Sequence, residues 1–185
     1  TSNYTSTASC SSVTGGQKSC NNYTLTSNTK AFTIGKRAVT VTAASASKTY
    51  DGTAWTKTSG CSVTSGSLVS GHTVTCTNSG TITNAGSATN TLSTAVIKNS
   101  GGTDVSANYT ITKANGTLTV NKKAVTVTAS SNSKTYDGTA LTQTSGCASA
   151  NTLVSGHTAT CTNSGSITNA GTATNTLSTV VIKNS

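Results

Sequence analysis

Residues 38–61, AVTVTAASASKTYDGTAWTKTSGC, return at 124–147 as AVTVTASSNSKTYDGTALTQTSGC. After a one-residue deletion, residues 68–100 return at 153–185, and 49 of 62 aligned positions are identical. A duplication this close gives both copies the side chains for one and the same fold. Its phase constrains the chain further. Residues 101–123, GGTDVSANYTITKANGTLTVNKK, complete the first copy, whereas the second reaches Ser185 before its own version of that segment. An equivalent stands at the other end: residues 15–37 read GGQKSCNNYTLTSNTKAFTIGKR. At the same offset of 86, Asn22-Tyr23 matches Asn108-Tyr109, while Phe32 and Ile34 fall on Leu118 and Val120. The expected organisation is a partial module at 1–37, a complete β repeat at 38–123 and a repeat lacking its closing strands at 124–185.

Every periodic stretch has period two. Val39, Val41 and Ala43 alternate with Thr40 and Thr42; Tyr109 and Ile111 with Thr110 and Thr112; Leu118 and Val120 with Thr117 and Thr119. That pattern belongs to half-buried strands with threonine on the wet face. Between the last two runs, Asn115-Gly116 reads as a two-residue hairpin turn that places Ile111 opposite Val120. The expected fold class is all-β: tandem small Ig-like β-sandwich modules of about 86 residues with six or seven short strands each. Seven aromatic residues among 185 leave little to fill a core, and 43 Thr with 29 Ser cover the surface. Modules so poor in apolar mass call for covalent staples.

Six cysteines fall in neighbouring pairs, and each repeat carries one pair. Pairing within copies is the simplest of the 15 connectivities that six cysteines allow: Cys10–Cys20, Cys61–Cys76 and Cys147–Cys161. Disulfides imply an oxidising, extracellular setting. The first residue is Thr1, with no initiator Met and no signal peptide, as expected of a mature product or a fragment.

KTYDGTA at 48–54 and 134–140, the stretch TNAGSATNTLSTAVIKNSGGTDVSANYTITKANGTLTV at 83–120 and the joining KKAVTVTA together resemble the YDG/MBG-type repeats of large bacterial cell-surface proteins. The resemblance spans essentially the whole chain in the phase described above. It implies tandem β domains in the stalks of adhesins and fibres, and no enzymatic activity. The cysteine pairs lie outside what the resemblance covers. Residues 1–20 drift from it too: Cys10 and Cys20 stand where the repeat has Val96 and Ser106.

The net charge of +9 comes from a scarcity of acids, three against twelve Lys and Arg, and the cations are scattered. Nucleic-acid grooves and stacking platforms need clustered cations and interleaved aromatics, so no nucleic-acid partner is expected. No apolar run approaches the ~20 residues of a membrane-spanning helix, and no membrane insertion is expected. Asp51-Gly52 and Asp137-Gly138, following Tyr50 and Tyr136, suit tight turns in which Asp accepts backbone N–H bonds. A Lys48-based isopeptide crosslink would need a buried acid, which these polar surroundings oppose. His72 with Cys76, and His157 with Cys161, have same-face spacing, but zinc takes three or four ligands and each repeat offers one His. Three acids cannot build a calcium cage. No cofactor, no metal and no catalytic residue are expected. Trp55 is replaced by Leu141 in the second copy, so it is no repeated feature.

Two functions fit. In the first, the chain is the structural subunit of an extracellular bacterial fibre. The tail of one copy, with Tyr23, Leu25, Phe32 and Ile34 on its filling face, completes the last repeat of the next. The partner is then the chain itself, as a head-to-tail homopolymer, because such a contact does not close on itself. In the second, the chain is a stalk segment of a long cell-surface adhesin, with host or matrix glycans or mucin as partners.

Overall fold

The computed structural model describes residues 30–149, 151 and 153–184. They are all-β, with a single 3-10 turn at Ser106–Asn108. In the first repeat the strands are β1 (Arg37–Ala43), β2 (Ala46–Thr49), β3 (Trp55–Lys57), β4 (Cys61–Gly66), β5 (Thr73–Ile82), β6 (Gly86–Lys98), β7 (Tyr109–Ala114) and β8 (Gly116–Asn121). That is eight strands, against six or seven expected; the surplus lies in the short β2 and β3.

The strands form two sheets, ordered β4-β1-β7 and β2-β8-β6-β5-β3. Val39, Val41 and Ala43 of β1 and Tyr109 of β7 meet Leu92 and Ile97 of β6 in one buried cluster, so the core lies between the sheets. The alternation along β1 follows the sequence, with Val39, Val41 and Ala43 buried and the threonines between them half-exposed. The Cys61–Cys76 disulfide joins β4 of one sheet to β5 of the other. It closes a 15-residue separation, worth on the order of 3 kcal/mol in the chain-entropy account.

The Asn115-Gly116 hairpin does not form. β7 pairs parallel with β1 in one sheet, whereas β8 pairs parallel with β2 and antiparallel with β6 in the other. Ile111 therefore does not face Val120 across a turn. Two of the chain's five changes of sheet, at Ala44-Ser45 and at Asn115, run side by side. The Thr117 N–H bonds to the Ser45 hydroxyl at 3.0 Å, and Asn115 Oδ1 accepts from the Leu92 N–H at 3.2 Å. Gly116 is glycine for want of space: a Cβ there would collide with the Ala43 carbonyl oxygen and lie 2.6 Å from that of Ala44. The local dipeptide signal for a turn gives way to two stacked sheet crossings.

The second repeat contains β9 (Val127–Ala129), β10 (Leu141–Ser145), β11 (Cys147–Ser149), β12 (His157–Ile167) and β13 (Thr176–Asn184). β10, β12 and β13 form one sheet and β11 pairs with β9. The Cys147–Cys161 disulfide links β11 to β12, with the same 6.2 Å Cα separation as Cys61–Cys76. The pairing Cys10–Cys20 lies outside the described residues, as do Tyr23, Leu25 and most of the 1–37 module.

Candidate assembly site

The two copies differ most around the position of β8. In the first repeat β8 is laid between β2 and the start of β6, with Leu118 and Val120 at 0% and 2% exposure. The positions matching those two neighbours are 132–135 and 171–175, and neither stretch is a strand. Between them runs a groove of about 530 Å³, walled by 130–134 on one side and 165–175 on the other.

The walls are already held apart at the right distance. Asn175 Nδ2 donates to the Ser130 carbonyl at 2.8 Å, as Asn90 Nδ2 donates to that of Ala44 at 2.8 Å. Gly80 and Gly165 form matching floors, each with an added Cβ 2.6 Å from the asparagine Oδ1 beside it. Above Gly80 the Leu118 side chain would be met at 3.1 Å, whereas the three atoms nearest to a Cβ on Gly165 all belong to Asn175. Asn90, Asn175, Gly80 and Gly165 were not singled out from sequence, because in a nearly exact duplication every repeated residue looks alike.

Exposure differs between the copies at the other end of the sheet too, where Ile97 packs against β1 and Tyr109 of β7. Ile97 is fully buried, while Ile182, the same residue of the second copy, is 46% exposed beside the exposed Val180 and Val181. Among the described residues, the buried hydrophobic side chains all belong to the first repeat. The sequence is the same; the strand is not.

At the other end of the described chain, residues 30–36 belong to no strand. Phe32 is 85% and Ile34 98% exposed. These are the two residues that match buried Leu118 and Val120. Lys30 matches Gly116, the position where a Cβ has no room in the first repeat.

The remaining chemistry-bearing groups are engaged in structure. Tyr109 is buried; its hydroxyl accepts from the Val69 N–H at 3.0 Å and bonds to His72 Nδ1 at 2.7 Å. Its match at the other end of the chain is Tyr23. Asp51 Oδ1 accepts from Lys48 Nζ at 2.7 Å, from the Thr53 N–H at 3.0 Å and from the Thr53 hydroxyl at 2.8 Å. Gly52 follows at φ +79°. Asp137 repeats the arrangement with Lys134 at 2.8 Å and the Thr139 N–H at 2.9 Å, and Gly138 lies at φ +78°. The Lys48 and Lys134 hydrogen bonds, followed by the threonine donors, hold both carboxyls well below the usual carboxylate range. Trp55 is half-buried on β3, with Lys48 Nζ 6.0 Å from its ring centre. Among the described residues no three His, Cys, Asp or Glu side chains converge, and no helix is long and apolar enough to cross a membrane.

At the seam between the repeats, Tyr50 sits against the second copy. Its hydroxyl is 3.5 Å from His157 Nε2 and the rings are 5.9 Å apart. A cavity of about 290 Å³ lies there, bordered by Tyr50, Lys122, Lys123, Val154 and His157 among others. Comparison of the chain with protein-family models, with curated proteins and with solved structures finds no match.

Proposed function

We propose that the chain is the structural subunit of an extracellular bacterial fibre, built of tandem Ig-like sandwich modules of about 86 residues and assembled head-to-tail. Residues 31–35 of one copy enter the groove of another copy's second repeat, in the place that β8 occupies in the first. The observation that carries this reading is the match between the groove at 130–134 and 165–175 and the exposed Phe32 and Ile34, which stand in register with the two side chains that fill the same groove in the first repeat. A groove whose walls have no strand partner and an alternating apolar segment with no sheet are each unfavourable in water. Joining them buries both, with main-chain hydrogen bonds along the strand and alternate side chains setting its register.

Lys30 refines the geometry. Its Cβ has no room on the path taken by Gly116, so the donated strand enters at Ala31, and Phe32 is the first residue to fill the groove. The neighbouring Tyr23 then takes the part of Tyr109 against His157. The contact uses different surfaces on the two copies and does not close, so it propagates.

Three observations support a structural rather than a catalytic role. The carboxyls of Asp51 and Asp137 are committed to turns, His72 to Tyr109, and four cysteines to disulfides. Those disulfides also favour an oxidising, extracellular place of work. In the alternative reading, a segment of an adhesin stalk, strands following residue 185 in the same chain fill the groove, as β8 does in the first repeat.

Electron microscopy of the whole chain and of a variant lacking residues 1–37 tests the proposal. Fibres are expected from the first, and monomers or amorphous aggregates from the second. Fibres from the truncated chain would refute it.

A further inference from the structure

The seam between the two repeats shows how one module meets the next, and half of that seam is present again, uncovered, at each end of the molecule. On the first repeat the seam consists of the turn Tyr50-Asp51-Gly52, fixed to the end of β8 by a hydrogen bond from the Tyr50 N–H to the Asn121 carbonyl at 2.8 Å. On the second it consists of Val154 and His157. Tyr50 lies over His157, and Gly52 so close to Val154 that an added Cβ would be 2.5 Å from its Cγ1.

The matching turn of the second repeat is Tyr136-Asp137-Gly138. Tyr136 is 64% exposed, and a Cβ on Gly138 would meet nothing within 4 Å. The residues matching Val154 and His157 are Val69 and His72 of the first repeat, with Val69 45% exposed. Tyr50 and Val154, which meet at the seam, are only half-buried but more covered than either counterpart. Both turns have the same internal geometry, down to the Lys–Asp bonds at 2.7 and 2.8 Å. The linkers also agree in sequence: Lys122-Lys123 joins β8 to the second repeat at Ala124, and Lys36-Arg37 joins residues 31–35 to the first repeat at Ala38.

From this we infer an interface between copies of the chain: the Tyr136–Gly138 turn of one subunit packs on Val69 and His72 of the next, reproducing the Tyr50–Val154–His157 seam. This rests on the head-to-tail reading above, which fixes which ends meet. Donation of residues 31–35 brings the first repeat of the donor, from Ala38, directly behind Lys36-Arg37, as the second repeat, from Ala124, lies directly behind Lys122-Lys123. The subunit boundary is then indistinguishable from the boundary within a subunit, and the fibre has one kind of joint throughout.

The test places a benzophenone photocrosslinker in the whole chain, as Tyr136→p-benzoylphenylalanine, and in parallel as Tyr50→p-benzoylphenylalanine and Phe32→p-benzoylphenylalanine. Fibres are grown from a mixture of isotopically light and heavy subunits, and crosslinked peptides are identified by mass spectrometry. Position 50 is expected to link to residues 153–157 of its own copy. Position 136 is expected to link to residues 66–74 of a different copy, in yield within about twofold of that control, a spread below ~0.5 kcal/mol. Links from position 32 into 165–175 of another copy with none from position 136 into 66–74 would overturn the interface and leave strand donation standing. Absence both of fibres and of any position 32 link between copies would overturn strand donation, and the interface with it.

Discussion

Ile97 and Ile182 are the same residue of the repeat in two environments: Ile97 packs with β1 and with Tyr109 of β7, and the second repeat has no match for β7 among the described residues. Ile97 is fully buried, so Ile97→Ala should cost about 2–5 kcal/mol of folding stability. Ile182 is 46% exposed, so in the unassembled chain Ile182→Ala loses roughly half of that burial, about 1–2 kcal/mol. If a donated strand closes the second repeat, Ile182 becomes as buried as Ile97. The remaining ~2 kcal/mol of the substitution then falls on assembly, a rise of roughly 30-fold in the critical concentration for fibre growth. Denaturant unfolding of the monomer and sedimentation of fibres across a concentration series provide the two numbers. Ala31→Ser serves as the control, since Ala31 matches the exposed Thr117 and should leave the critical concentration within about twofold. An Ile182→Ala chain that assembles at the wild-type concentration would refute the argument, because nothing donated by a neighbouring copy, Tyr23 in the place of Tyr109 included, would then reach Ile182.

Gly116→Ala should lower the stability of the first repeat by roughly 1–3 kcal/mol, measured by scanning calorimetry, because the backbone carbonyls of Ala43 and Ala44 have nowhere to go. The reverse change, Lys30→Gly, should lower the critical concentration; a rise would mean that the donated strand avoids the path of β8. Asp51 and Asp137 have depressed folded-state values, so their contribution is complete above the ordinary Asp range near ~3.9 and is lost only as pH falls through the lower folded value. Carboxyl chemical shifts recorded by NMR should show both midpoints well under those of free Asp, and ordinary midpoints would contradict the turn geometry. Replacing Cys61 and Cys76 together by Ala should cost about 3 kcal/mol in denaturant unfolding, and a loss below ~1 kcal/mol would show that the sheets hold together without the staple.

What could be seen in the sequence was what repeats locally. Alternating Val and Thr mark β1, and the cysteine pair within each copy marks Cys61–Cys76 and Cys147–Cys161, because period and spacing are properties of short stretches. Asn115-Gly116 was misread for the same reason. The dipeptide suits a hairpin, but β7 and β8 find better partners in β1 and β2, about 70 residues away, and no local rule sees them. The groove could be inferred only from the phase of the repeat, since residues 132–135 and 171–175 closely resemble stretches that do form strands. The roles of Asn90 and Asn175 were hidden, because an asparagine that braces two walls looks in sequence like any other polar residue.

The parallel pairing of β1 with β7 and of β2 with β8 has a mechanical consequence. The first repeat is entered at Arg37, at the start of β1, and left at Asn121, at the end of β8. Tension applied along the chain therefore drags these neighbours lengthwise past each other, loading their backbone hydrogen bonds together as a shear. Peeling would break them one at a time at far lower force. A module wired in this way resists being pulled end to end.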